Sequence, residues 1–188
     1  GEEPGFLVAV KNGGLIVGAG KKIILMNDNI VVGEVPLLCE NLDVSVNDGS
    51  ISPDGKTILF GTKHNSEIEK VGESFVIGDA IVRTDQRFIV FNGPAFSLDG
   101  NQVYFTDSPT GIIKVADYDQ LTGRLSRVEE FARVPEVDGY PDGMAIDSEG
   151  YLWSAHWDGA RITRYQPDGT VNKVYQMPVK RPTSLAFA

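Results

Sequence analysis

An internal repeat constrains the fold of this chain more than any other feature of its sequence. Similar stretches begin near Gly5, Asn47, Asn92 and Asp142, and a shorter fifth copy begins near Thr183. They align on their turn glycines, and successive starts lie about 40 to 50 residues apart, a spacing typical of arrays of small supersecondary units. The sequence therefore predicts a stack of similar structural units.

Each unit contains four short apolar segments separated by turn residues. The fourth copy reads "MAID", "YLWSAH", "RITRYQ" and "VNKVYQM", with turns at Glu149-Gly150, Asp158-Gly159 and Asp168-Gly169. Runs rich in β-branched and aromatic residues between such turns predict antiparallel strands. Four strands per repeat of this length are typical of a β-propeller blade, so we expect an all-β fold with a single propeller domain over residues 1–188. An all-β sandwich is the alternative.

The charge balance argues against two classes of partner. The chain has 17 basic and 26 acidic residues, for a net charge of −9, which repels phosphate backbones and anionic membrane surfaces. We expect no nucleic acid and no membrane as partner. The sequence also has no long apolar run and no signal-peptide pattern, which favours a cytoplasmic protein. The single Cys39 follows an apolar run and is expected in or near the core.

One of three Pro-Asp-Gly tripeptides stands in an unusual position. Those at 53–55 and 167–169 lie between two apolar runs and predict hairpin turns, because Pro fixes φ and Gly accepts positive φ. The tripeptide at 141–143 instead stands at the entrance to a strand. This position places Asp142 in register with Asn47 and Asn92 of the preceding units.

The aligned polar residues converge if the units are propeller blades. The first strand of every blade lines the central channel, so Asn47, Asn92 and Asp142 are expected at one channel mouth, with Asp48 beside Asn47. Amide and carboxylate oxygens suit Ca²⁺, Mg²⁺ or Mn²⁺, and Zn²⁺ also accepts carboxylate. From spacing alone, the same residues could equally serve as caps of strand entrances and turns.

Several segments resemble one protein family. "NDGSISPDGKTILFGTKH", "FNGPAFSLDGNQVYFTDSPTGIIKVADYDQLTGRL" and "GYPDGMAIDSEGYLWSAHWDGARITRYQPDGTVNKVYQMPVKRPTSLAF" resemble the senescence marker protein/gluconolactonase/luciferin-regenerating-enzyme family. The resemblance implies a six-bladed propeller that hydrolyses sugar lactones with one divalent metal ion. The sequence around "GYPDG" and "SAHW" looks most like that of aldonolactonases such as arabinolactonase. The chain would then comprise about four of six blades plus one extra inner strand.

The resemblance also implies roles for particular residues. Asn92 and Asp142 correspond to metal ligands, and Asp142 would in addition help to activate the attacking water. Asn47 and its neighbour Asp48 are expected to contact the substrate or an outer water. A substrate-facing Glu found in some relatives has no clean counterpart, and we expect Glu67, or His64 in its place, to contact the substrate. The family's substrate-binding Arg is replaced by Ser45.

The resemblance also implies that parts of the propeller lie outside this chain. The family's remaining metal ligand is a Glu on the blade before Gly5, and Glu2 or Glu3 would replace it only in a rebuilt site. An arc of blades leaves open edges, so the chain would be a piece of a longer protein, close as a smaller ring, or form a homodimer. The predicted activity is metal-dependent lactone hydrolysis, and the site for it would be incomplete in this chain because that Glu ligand is missing. The alternative is a non-catalytic propeller fragment or binding module.

Overall fold

The computed structural model describes residues 2–11 and 13–187 as an all-β fold. Sixteen strands form four four-stranded antiparallel sheets, and within each sheet the strands follow one another in sequence order. Helix is confined to the 3-10 turns Ser108–Thr110 and Glu136–Asp138, so the described part of the chain has no helix long and apolar enough to cross a membrane. The predicted four-stranded blades are confirmed.

The four sheets, named blades I to IV, divide the chain into consecutive quarters. Blade I contains β1 (Pro4–Ala9), β2 (Gly14–Ala19), β3 (Lys22–Asn27) and β4 (Ile30–Pro36). Blade II contains β5 (Val44–Ile51), β6 (Ile58–His64), β7 (Gly72–Ile77) and β8 (Ile81–Phe88). Blade III contains β9 (Phe91–Phe96), β10 (Gln102–Asp107), β11 (Ile112–Tyr118) and β12 (Leu125–Arg133). Blade IV contains β13 (Tyr140–Ile146), β14 (Leu152–Trp157), β15 (Arg161–Tyr165) and β16 (Val171–Gln176).

The two Pro-Asp-Gly tripeptides predicted as hairpin turns are turns. Gly55 and Gly169 have φ values of +73° and +85°, which L residues with a Cβ rarely adopt. The Asp54 carboxylate accepts hydrogen bonds from the Lys56 N–H and the Ser52 hydroxyl, and Asp168 is bonded in the same way by Thr170. In both tripeptides the acid therefore stabilises its own turn.

The first strands of the four blades are neighbours and share an irregularity. Strands β1, β5, β9 and β13 pack side by side in that order. Each has a shift in register against the second strand of its blade: at Gly5 in β1, at Asn47 in β5, after Asn92 in β9 and across Asp142 in β13. A bulge re-aims the side chain that it carries. The aligned repeat positions are therefore the positions where the inner strands bend.

Apolar side chains between successive blades form the core. Phe60 packs against Phe6 and Phe75 between blades I and II. Phe105 lies within a cluster shared by blades II and III, and Tyr104 belongs to a cluster that joins blades III and IV. These aromatics of the second strands thus pack between neighbouring blades. Cys39 is half-buried against the first of these clusters, as expected, and burial raises its thiol pKa to about 11.

Among residues 2–11 and 13–187, no further strand pairs with the segment 178–187 or with the outer edge of β4 in blade I. Residues 178–187 lie against blade IV but form no strand, because they meet β13 through the single bond from the Gly143 N–H to the Thr183 carbonyl, 2.9 Å, and have no ladder. The outer strand β4 exposes the apolar side chains of Ile30 and Val32. Association of two copies through such an edge stays a prediction.

Candidate functional site

A cavity of about 580 Å³ lies where the inner strands bend. The bulges of β5, β9 and β13 bring their polar side chains to its wall, and the end of β6 and the following loop close one side. Most of the residues predicted as site residues meet there. The polar side chains that define the cavity are those of Asn47, Asp48, Lys63, Glu67, Asn92 and Asp142.

A chain of hydrogen bonds links the walls of the cavity across three blades. The Asn47 side-chain amide donates to Asn92 Oδ1 at 2.7 Å and to the Phe91 carbonyl at 2.8 Å. The Asn92 amide in turn donates to the Ser108 hydroxyl at 2.9 Å, and that hydroxyl donates to the Pro141 carbonyl at 2.7 Å. Asn92 and Ser108 are both buried, so these bonds hold the two predicted polar positions of β5 and β9 in a fixed relation.

Asp48 joins two inner strands through its carboxylate. One oxygen accepts the Gly49 N–H at 2.8 Å, and the other accepts the Gly93 N–H of β9 at 2.7 Å. Burial raises the pKa of Asp48 to about 6, although these two bonds oppose the shift. Gly93 has a φ of +67°, and a Cβ there would lie 2.5 Å from the Asp142 carbonyl oxygen, so only glycine lets the strands approach so closely.

Asp142 occupies the bulge of β13 and faces the cavity. No other side chain of the described residues hydrogen-bonds to its carboxylate, while the following residue, Gly143, is fixed by its bond to Thr183. Burial, and next the negative charge of Asp48, raise the pKa of Asp142 to about 7. A carboxyl group with such a pKa exchanges a proton readily near neutral pH. Asp142 is thus a carboxyl group of the cavity wall with a pKa close to neutral pH.

Lys63 and Glu67 form an ion pair on the cavity wall, with Nζ 2.6 Å from Oε1. Lys63 lies directly across the β5–β6 ladder from Ser45, whose short side chain leaves room beside it. The Lys63 charge lowers the pKa of Asp142, whereas that of Glu67 raises it. Glu67 has a φ of +56°, an uncommon conformation for a residue with a side chain and one often found at functional sites.

The structure does not bring His64 into the cavity. Successive side chains of a strand point to opposite faces, so with Lys63 towards the cavity His64 faces the other way. It is buried, its Nε2 lies 3.3 Å from Asp43 Oδ2, and its Nδ1 accepts the N–H groups of Ile68 and Glu69 at 3.4 and 3.2 Å. Its role is therefore to hold the loop that carries Glu67.

The donor set at the cavity fits a hard cation in part. Asn47, Asn92 and Asp142 present amide and carboxylate oxygens, which Ca²⁺ and similar ions prefer. Within residues 2–11 and 13–187, no three His, Cys, Asp or Glu side chains come together as a metal site, so amide oxygens would have to contribute. Glu2 does not line the cavity; its carboxylate lies 3.5 Å from Lys22 Nζ.

Several residues that line the cavity were not predicted as site residues, among them Lys63, Ser108, Tyr140 and Trp157. For Lys63, the alternation of side chains along a strand was the available signal. Lys63 and His64 are neighbours in β6 and point to opposite faces, so only one of them can face the cavity. Ser108 opens the 3-10 turn that follows β10 of blade III and carries no repeat signature. Its place became visible only through the contacts of β9, β10 and β13.

Four antiparallel sheets whose inner strands lie side by side, with oxygen-bearing side chains where those strands bend, define a β-propeller with a polar central site. The chain belongs to the SMP-30/gluconolactonase/LRE-like family, whose model matches residues 1–188. The family resemblance seen in the sequence is thereby confirmed.

Two curated relatives and one solved structure illustrate the similarity. The chain is 40% identical over 96 residues to pentonolactonase XacC of Haloferax volcanii, covering 51% of this chain and 33% of that protein. It is 34% identical to 6-deoxy-6-sulfogluconolactonase of Pseudomonas putida, and the match covers 99% of this chain and 65% of that protein. The calcium-binding protein regucalcin of Agrobacterium tumefaciens superposes with a TM-score of 0.90 at 22% identity, and the match covers 97% of this chain and 63% of that one. This similarity shows the shared fold. The chain thus spans between one third and two thirds of these proteins.

Proposed function

We propose that this chain is the main part of a metal-dependent hydrolase of sugar lactones. The observation that carries the proposal is the meeting of Asn47, Asn92 and Asp142 from three blades at one cavity. The relatives named as lactonases support the substrate class, and the cavity of about 580 Å³ has room for a five- or six-carbon lactone.

Asp142 is the residue that we assign to proton transfer. Its carboxylate faces the cavity and accepts no side-chain hydrogen bond from the described residues, and its raised pKa suits a group that takes a proton from water near neutral pH. A lactone is a cyclic ester, so attack of that water on the carbonyl carbon opens the ring and yields a hydroxy acid. Asp48 keeps the inner strands of blades II and III together and so maintains the distance across the cavity.

Asn92 and Asp142 are the residues that would hold a divalent cation. The chemistry that Ca²⁺, Mg²⁺, Mn²⁺ or Zn²⁺ supplies when bound is polarisation of the lactone carbonyl and a lower pKa for water. Asn47 uses its amide N–H groups for Asn92 and Phe91, which leaves its Oδ1 for a substrate hydroxyl or a water. A neutral Asn donor retains more positive charge on a cation than a second carboxylate does.

The Lys63–Glu67 pair is assigned to the hydroxyl groups of the substrate. One Lys63 N–H is used by Glu67, and the remaining N–H donors and carboxylate lone pairs match a pair of neighbouring hydroxyls. We expect Glu67→Gln and Lys63→Met each to raise KM for an aldonolactone about tenfold, because one hydrogen bond to a charged group is lost. The rate at saturating substrate should change less.

The comparison substrate for that prediction is a lactone without hydroxyl groups, such as δ-valerolactone. Both variants should hydrolyse it as the wild type does once the pH is high enough to ionise Asp142, whose pKa the two charges shift in opposite directions. Lys22→Met, which removes the Lys22–Glu34 pair outside the cavity, serves as the control variant. Equal losses on the hydroxylated and plain lactones would argue against hydroxyl recognition by this pair.

Hydrolysis of a lactone panel tests the proposed function as a whole. Five- and six-carbon aldonolactones are offered with each of the four cations, and acid release is followed with a pH indicator. We expect turnover that EDTA abolishes and that one of the cations restores. Turnover unaffected by EDTA would exclude the cation from the mechanism, and absence of both turnover and cation binding would favour a non-catalytic binding module.

A further inference from the structure

Ser108 stands between the two positions that the proposed function assigns to the cation. It lies in the 3-10 turn between β10 and β11 of blade III and is buried. Its hydroxyl touches Asn92 of β9 on one side, at 2.9 Å, and the carbonyl of Pro141 in β13 on the other, at 2.7 Å. It therefore connects the two inner strands that carry Asn92 and Asp142.

The directions of these hydrogen bonds are fixed by chemistry. A backbone carbonyl can only accept, so the single hydroxyl proton of Ser108 goes to Pro141. The hydroxyl oxygen is then left as an acceptor, and the Asn92 side chain must offer it Nδ2. With Nδ2 committed to Ser108, Oδ1 of Asn92 is turned to the opposite side, where it meets the Asn47 amide at the cavity.

A reversed Asn92 side chain would lose bonds at both ends. Oδ1 would then face the Ser108 oxygen, whose proton is already donated, and Nδ2 would face the Asn47 amide nitrogen, a second donor. Unmade hydrogen bonds of buried groups are costly. The orientation that presents an oxygen to the cavity is thus the one that the buried chain of donors and acceptors permits.

We propose that Ser108 is a positioning residue that fixes the direction of the Asn92 amide and thereby sets the affinity of the cavity for a divalent cation. The inference rests on the proposed function for its cation, but the orientation of the amide can be measured without any metal. Hydroxyls and carboxylates behind metal ligands typically change metal affinity 10- to 100-fold when they are removed.

The test compares the wild-type chain with Ser108→Ala and with a matched control. Thr110→Ala removes a hydroxyl from the same turn, but the Thr110 hydroxyl donates to the Asp107 carbonyl at 2.7 Å and is not part of the Asn92 chain. Binding of Mn²⁺ is measured by the loss of the free-ion EPR signal. We expect Ser108→Ala to bind Mn²⁺ at least tenfold more weakly, and Thr110→Ala to bind it as the wild type does.

The second readout is made in EDTA on ¹⁵N-labelled protein. The Asn92 side-chain NH₂ signals, identified by their absence in Asn92→Asp, should exchange with water at least tenfold faster in Ser108→Ala. Unchanged exchange, or Mn²⁺ affinity within twofold of a wild type that does bind, overturns the inference. A wild type that binds no Mn²⁺ while the exchange rate rises in Ser108→Ala refutes the cation role and leaves the orientation of Asn92 supported.

Discussion

Replacing Asp142 by asparagine is expected to lower the rate of lactone hydrolysis by about 10³-fold, the usual contribution of a general base. Asparagine keeps the shape of the side chain but cannot take the proton of the attacking water, and it carries no charge for a cation. The effect should fall on kcat, because the Lys63–Glu67 wall is left intact.

The control for this variant is the same substitution in a different Pro-Asp-Gly tripeptide. Asp168→Asn alters an exposed turn whose carboxylate accepts hydrogen bonds from the N–H and the hydroxyl of Thr170. Its rate should stay within about twofold of the wild type, as expected for a surface change. A loss of similar size in both variants would point to unfolding, and wild-type activity in Asp142→Asn would remove this residue from the mechanism.

The Asp142→Asn variant should be more stable than the wild type in EDTA at pH 8. Folding raises the pKa of Asp142 from 3.8 to about 7, so between these values the folded state binds more protons and stability falls as pH rises. At pH 8 Asp142 is ionised, and its burial lowers the free energy of unfolding of the wild type by up to about 4 kcal/mol for a pKa shift of this size. Urea unfolding at pH 4 and pH 8 measures it; a difference between variant and wild type that does not grow with pH would contradict the assignment.

Replacing Phe105 by alanine is expected to lower the free energy of unfolding by about 3–5 kcal/mol, the range for a large aromatic in a packed core. The ring is fully buried, with its centroid 5.9 Å from that of Phe88 and 6.1 Å from that of Phe91. These neighbours come from the outer strand of blade II and the inner strand of blade III. The cavity left by the substitution would therefore lie at the contact between two blades.

Urea denaturation followed by circular dichroism measures the loss. Leu98→Ala in the same blade is the control, because that side chain is 59% exposed and should cost less than about 0.5 kcal/mol. Similar losses in the two variants would contradict a core located between blades.

Much of the fold could be predicted because the alignment of the repeats shows where each structural unit begins. The aligned starts near Gly5, Asn47, Asn92 and Asp142 correspond to the four inner strands, and the turn glycines separate the strands within each blade. The convergence of Asn47, Asn92 and Asp142 followed from the same alignment, because equivalent positions of neighbouring blades face one channel. No contact had to be known for these conclusions.

Other parts of the site depend on contacts that no local pattern describes. Whether Lys63 or His64 faces the cavity depends on the register of β6 against a bulged β5, which a repeat alignment does not fix. The sequence predicts that Asp48 contacts the substrate or a water, but it does not reveal that both carboxylate oxygens accept backbone N–H groups. Ser108 acquired a role because β10 ends beside both β9 and β13.

The sequence by itself thus determined the blade architecture and the residue types at the mouth, since both recur with the period of the chain. The tertiary structure alone decided which oxygens are free, which carboxyls have raised pKa values and which way the Asn92 amide points. These properties depend on burial and on donors that come from other blades, here Asn47 and Ser108, which lie 45 and 16 residues away from Asn92 in the sequence. Hydrogen bonds and desolvation act through space, so they appear only once the blades are packed together.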